Sequence, residues 1–120
     1  MRIRNILVWE EKFAIVKSKK EYAEAFANIK YKDELTVIID QNKIKKEDII
    51  KIEKNWKLIT FDFLLNFNLV GFISKIFSAL AKKNISIFVV SSYSTDHLLV
   101  KEKDLKKTLI VLKKLDVITK

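Results

Sequence analysis

The sequence predicts an α+β fold, a small antiparallel sheet with helices packed on one face, and three observations predict it. Short β-branched runs bounded by polar turns recur along the chain. Two segments, 69–83 and 103–115, carry apolar residues at helical spacing. With one Gly and no Pro in 120 residues, no flexible linker separates these pieces. They should form one rigid body, and 49% hydrophobic content is enough to give it a core.

The elements follow in order. Ile3–Trp9 and Phe13–Val16 are apolar runs separated by Glu10, Glu11 and Lys12, which reads as two strands joined by a charged turn. Between Glu21 and Ile29, the spacing of Tyr22, Ala25, Phe26 and Ile29 predicts a short amphipathic helix. Leu35–Ile39 is a β-branched strand between Asp33-Glu34 and Asp40-Gln41-Asn42. Lys45–Ile52 allows a turn or two of helix before the strand Trp56–Phe63. The helix 69–83 places Leu69, Phe72, Ile73, Ile76, Phe77 and Leu80 on one stripe. Asn66 or Asn68 suits its N-cap, and Lys82-Lys83-Asn84 its C-terminus. Ile85–Val90 and His97–Val100 are strands around the polar turn Ser91 to Asp96. The helix 103–115 aligns Leu105, Leu109, Leu112 and Leu115, and Asp116–Thr119 could add a last strand.

From Trp56 onward this is strand, helix, strand, strand, helix, strand, the ferredoxin-like βαββαβ order. The first half reads as a worn version of the same unit. The expected organisation is therefore a degenerate N-terminal unit, 1–55, fused to a C-terminal unit, 56–120.

A net charge of +9 suits nucleic acid or an anionic membrane surface. Nearly all of it is Lys, only Arg2 and Arg4 being exceptions, and the lysines are spread along the chain, which favours a solvated surface. The longest charge-free runs, 63–74 and 85–95, are shorter than the roughly 20 residues that span a bilayer. Met1-Arg2-Ile3-Arg4 leads into no secretory apolar segment. No membrane partner and a cytoplasmic location are expected. The absence of Cys removes disulfides, thiolate zinc sites and Cys nucleophiles. His97, the one histidine, stands beside a single carboxylate, Asp96, so no metal site or cofactor is expected. There is no Gly-rich phosphate loop and no nucleophile elbow, so no catalytic residue is assigned.

The candidate site is the turn Asn66 to Phe72, where an apolar strand meets a helix start at Gly71. Unpaired N–H groups at a helix N-terminus attract a carboxylate or phosphate, and glycine lets a ligand approach. Gly71 could equally serve close packing of the helix, and Asp96 could simply cap its turn.

The second half resembles an ACT domain, the small ligand-binding regulatory module of amino-acid metabolism. Strand, Gly71 turn, helix and Asn84-Ile85-Ser86-Ile87-Phe88-Val89-Val90-Ser91-Ser92 carry the likeness. A longer set is similar to the two-unit ACT proteins related to the CASTOR arginine sensors: Asp33 to Ile38, Asn55-Trp56-Lys57, Phe67-Asn68-Leu69-Val70-Gly71, Ile85 to Phe88 and Ser92 to Val100. The resemblance implies a sensor that binds an amino acid or similar small ligand, forms a homodimer and regulates an enzyme or other protein partner. It implies that Asn66, Asn68, Val70, Gly71 and Phe72 hold an α-carboxylate through backbone amides. It also implies that Asp96, near Ser92 and Thr95, pairs with an ammonium. Many ACT domains have Asp-x-Pro-Gly at this turn, where this chain has Asn68-Leu69-Val70-Gly71, so a neutral amide replaces the acid. The alternatives are a basic RNA-binding module, which would need exposed aromatics interleaved with basic residues that these strands lack, and a structural protein-interaction module.

Overall fold

The computed structural model describes residues 2–3, 6–61 and 69–115. Its strands are β1 (Arg2–Ile3), β2 (Ile6–Val8), β3 (Phe13–Ser18), β4 (Ala27–Tyr31), β5 (Glu34–Asp40), β6 (Ile49–Phe61), β7 (Ile87–Ser91) and β8 (Asp96–Lys101); its helices are α1 (Leu69–Lys82) and α2 (Leu105–Lys114). The expected last strand, 116–119, and the expected caps Asn66 and Asn68 lie outside the described residues. The chain divides into two compact units, an internal one of residues 11–56 and a terminal one of residues 1–10 and 57–120.

In the terminal unit, β2 pairs antiparallel with the end of β6, β6 with β8, and β8 antiparallel with β7. The strand order is β1-β2-β6-β8-β7, and β2 from the start of the chain lies between β6 and the two-residue β1. Alternate strand residues face the helices, as the pleat requires. Ile6 and Val8, Ile59 and Phe61, and Leu98 and Val100 join Ile76 and Leu80 of α1 and Val111 and Leu112 of α2 in one apolar cluster.

α1 ends in a Schellman motif. Ile85 N–H donates to the Leu80 carbonyl at 3.1 Å and Asn84 N–H to that of Ala81 at 3.0 Å. Asn84 sits at φ 58°, the left-handed position asparagine tolerates. This stop ties the last turn of α1 to the start of β7. The 14 residues of α1 then span about 21 Å, while β7 runs the opposite way along the sheet. The first turn of α1, the end of β6 and the β7–β8 hairpin therefore belong to one end of the terminal unit.

The internal unit orders its strands β6-β3-β5-β4, each neighbouring pair antiparallel. Counted from β3 the order is fourth, first, third, second; in the terminal unit β6, β8 and β7 repeat the first, third and second places, and β2, from the start of the chain, stands where the fourth would. Its connections differ. The amphipathic helix expected over Glu21–Ile29 is not there: residues 23–26 form turns and bends, and β4 begins at Ala27. The fold of this segment comes from polar contacts rather than a helical stripe. Tyr22 donates its hydroxyl to buried Asp48 and accepts from Lys45 N–H at 3.0 Å, while Asn28 Oδ1 accepts from Tyr22 N–H at 3.0 Å and Asn28 Nδ2 donates to the Tyr22 carbonyl at 2.8 Å. Burial, with the Asp48 hydrogen bond adding, raises the Tyr22 pKa above its ordinary value and keeps the hydroxyl a donor. The helix allowed over Lys45–Ile52 is a single 3-10 turn, Lys46–Asp48, before β6 begins at Ile49. Ala14, Val16, Val37 and Ile39 form the apolar cluster of this unit with Tyr22. A bulge in β6 opposite Ala14 is taken up by Asn55 at φ 65°, whose side chain and N–H bond Gln41.

Candidate functional site

The β7–β8 hairpin is built by its own hydroxyls. Ser92 N–H donates to the Thr95 carbonyl at 2.8 Å, and Thr95 N–H donates back to Ser92 Oγ at 3.1 Å. The tip residue Tyr93 is fully exposed. Ser91 and Asp96 face each other across the ladder, so their side chains share a face, and Ser91 Oγ donates to Asp96 Oδ1 at 2.7 Å. Sequence reasoning grouped Asp96 with Ser92 and Thr95 and missed Ser91. By the alternation of β8, Asp96 lies on the same face as Leu98 and Val100, the helix side.

Ser92 and Thr95 belong to a different set. Their hydroxyls are 2.6 Å apart, Thr95 Oγ1 is 2.8 Å from His97 Nε2, His97 Nδ1 is 2.8 Å from Thr60 Oγ1, and Trp9 Nε1 donates to Thr60 Oγ1 at 2.8 Å. His97 and Thr60 are buried on the sheet face away from the helices, and the start of β8 is thereby fastened to the end of β6. An indole nitrogen only donates, so Thr60 accepts from Trp9, while the direction of the bonds from His97 to Thr60 and Thr95 follows from the imidazole tautomer.

Of the other candidates, Val70, Gly71 and Phe72 lie in the first turn of α1, whose backbone N–H groups have no acceptor within the helix. Asn66 and Asn68 lie outside the described residues. Among the described residues no group of three or more His, Cys, Asp or Glu could hold a metal ion, and no helix is long and apolar enough to cross a membrane. In the internal unit, the turn after β3 and the β4–β5 hairpin, the corresponding end of its strand order, line an open depression of about 490 Å³ in which Lys19, Lys20, Lys30 and Lys32 are mixed with Glu21, Asp33 and Glu34.

Burial lowers the His97 pKa below its usual value, with Asp96 opposing. The unfolded chain then takes up this proton at higher pH than the native one. The contribution of neutral His97 is complete above about pH 6.5 and is lost as pH falls through the native pKa. Thermal unfolding of wild type and His97→Gln, compared at about pH 7.5 and about pH 5.5, should show wild type losing more of its midpoint on acidification. Parallel pH profiles would refute the assignment.

Comparison with known proteins adds the following. A family model for the ACT domain matches residues 51–114. No curated protein matches the chain. Among solved structures, a structural-genomics protein of Agrobacterium tumefaciens is similar at TM-score 0.78 and 26% identity, over 91% of this chain and 86% of that one. A Vibrio cholerae protein of unknown function is similar at TM-score 0.75 and 18% identity, over 90% and 86%. The ligand-free regulatory subunit of Thermus thermophilus aspartate kinase shares the fold at TM-score 0.66 and 7% identity, over 93% and 96%. The model spans more than half of the 120 residues and its bounds enclose α1, β7, β8 and α2: the chain belongs to the ACT domain family.

Proposed function

We propose that this protein is a non-catalytic regulatory module that binds a free amino acid or a similar small ligand at the end of the terminal unit where α1 begins. The observation that carries the reading is the position of Asp96. Its carboxylate is on the helix side of the hairpin, steadied by Ser91 through one oxygen, at the end of the sheet where the first turn of α1 offers N–H groups. A zwitterion needs that combination: donors with a positive helix end for its carboxylate, an acid for its ammonium. Backbone amides of Val70, Gly71 and Phe72 bind the carboxylate, and Asn66 and Asn68 complete the ligand-binding set. Ser92 and Thr95 act through the hairpin's shape, since their hydroxyls are engaged with each other and His97.

The finer reading is a two-unit ACT protein of the kind related to the CASTOR sensors, with the first half, 1–55, as a degenerate unit. The repeated strand order of the internal unit supports it, with turns standing where the terminal unit has helices. A cytoplasmic homodimer acting on an enzyme or other protein partner completes the proposal. Likeness to the regulatory subunit of an aspartate kinase supports the regulatory role at the level of fold.

The test is thermal unfolding with each of the twenty amino acids at millimolar concentration. A ligand at about 100 times its dissociation constant adds roughly 2.7 kcal/mol. In a chain of this size that raises the midpoint by about ten degrees. One amino acid should stand out, and Asp96→Ala should abolish its effect. No shift with any of them would remove the free amino-acid ligand, and a shift that survives Asp96→Ala would remove the role of that carboxylate.

A further inference from the structure

The two units do not share the charge evenly. Residues 11–56 hold 11 Lys against 9 Asp and Glu, whereas residues 1–10 and 57–120 hold 13 Lys and Arg against 6. Each unit holds 11 lysines, more densely in the shorter internal one; what leaves the terminal unit more basic is its fewer acids. α1 carries Lys75 and Lys82, α2 carries Lys106, Lys107, Lys113 and Lys114, and neither helix contains an Asp or Glu. A solvated surface on a lysine-rich chain mixes the two signs, as the internal unit does. Neither helix does, the nearest acids being Glu102 and Asp104 in the 3-10 turn that leads into α2.

Helix ends explain only some of these lysines. Lys82, Lys113 and Lys114 stand in last turns, where the macrodipole favours them. Lys106 and Lys107 stand in the first turn of α2, where it opposes them. All four α2 lysines are exposed, and Ile110 lies among them, 55% exposed, one turn from each pair. Thr108, Val111 and Leu112 face the core. The outer face of α2 is thus two lysine pairs on either side of one apolar side chain, and α1 packs beside it.

We infer that the outer face of α2 docks on an anionic lipid surface. Polybasic helix faces bind acidic headgroups by charge, and lysine serves there as well as arginine. Nucleic-acid surfaces favour Arg and stacking aromatics, neither of which this face presents, and they have no use for Ile110. An apolar side chain ringed by lysines can enter the headgroup boundary while the ammonium groups stay at the phosphates. Binding is peripheral and independent of the amino-acid reading.

The test is co-sedimentation of the full chain with vesicles of about 30 mol % phosphatidylserine in phosphatidylcholine, at about 50 mM salt, where charges are weakly screened. Protein should pellet with these vesicles, stay in solution with pure phosphatidylcholine, and release as salt rises. Each lysine near the surface contributes about fivefold in affinity, so Lys106→Glu with Lys107→Glu should lose about 25-fold or more. Ile110→Ser should lose several-fold through the lost apolar contact. Lys30→Glu with Lys32→Glu, the same charge change in the internal unit, should retain binding. Absence of binding to the anionic vesicles would overturn the inference. So would equal losses in the two double variants, which would mean net charge rather than this face. Unchanged binding by Ile110→Ser, with a duplex DNA competitor displacing the vesicles, would assign the face to phosphates of nucleic acid instead.

Discussion

Leu80→Ala should cost about 3–4 kcal/mol and lower the thermal midpoint by roughly 10–15 °C. Leu80 is fully buried and sits in the cluster that joins both helices to β2, β6 and β8. It also closes the end of α1: its carbonyl accepts the Ile85 N–H, and Ile85 is buried in the same cluster, the apolar contact that accompanies a Schellman stop. Truncation therefore removes transfer energy, leaves a cavity the neighbouring strands cannot fill, and loosens the stop that hands the chain to β7. Ser78→Ala, on the exposed face of the same helix, should change stability by less than about 0.5 kcal/mol. Chemical denaturation of the two variants beside wild type decides it. A cost below about 1 kcal/mol for Leu80→Ala would mean that α1 is not held by this cluster. The consequence reaches the ligand end, because the position of α1 on the sheet sets where its first turn presents N–H groups.

What the sequence made legible was decided by how much of each element is local. α1 and α2 announce themselves because their apolar stripes repeat over three or four turns, and Asn84 marks the end of α1 by its tolerance of positive φ. β7, β8 and the hairpin between them follow from β-branched runs flanking Ser91 to Asp96. The segment Glu21–Ile29 misleads because its spacing is helical over only two turns, too short to hold a helix without packing. The partners that decide its course, Asp48 and Lys45, are distant in sequence. The division into units was hidden for the same reason, since β1 and β2 complete a sheet whose other strands begin with β6. Of the candidate site, the Asp96 carboxylate was legible and its partner was not. Ser91 follows only from a hairpin register that depends on where the strands end. The hydrogen bonds around His97 could not be read, because Trp9 just after β2 and Thr60 in β6 lie far away in the chain.

Thr60→Val should cost roughly 3 kcal/mol although it conserves volume, because a hydroxyl exchanged for a methyl is not a neutral swap in a polar network. Thr60 is buried, accepts from Trp9 Nε1 and shares a hydrogen bond with His97 Nδ1, both at 2.8 Å. Valine removes a hydrogen-bond partner from the half-buried Trp9 indole and from the buried His97 ring, and each such loss costs about 1–3 kcal/mol. Thr60→Ser keeps the hydroxyl and gives up one methyl group, so it should recover all but about 1 kcal/mol. Equal costs for Val and Ser would mean that the hydroxyl bonds contribute nothing and that only packing matters at this position. A double-mutant cycle with His97→Gln adds the sharper readout, for residues that share a hydrogen bond couple by about 0.5–3 kcal/mol whereas independent ones add. Because Thr95 and Ser92 hang from the far side of His97, breaking the hydrogen bond at Thr60 should also slacken the hairpin. Faster amide exchange at Thr95 and Ser92, with the exchange of α2 unchanged, would be its signature.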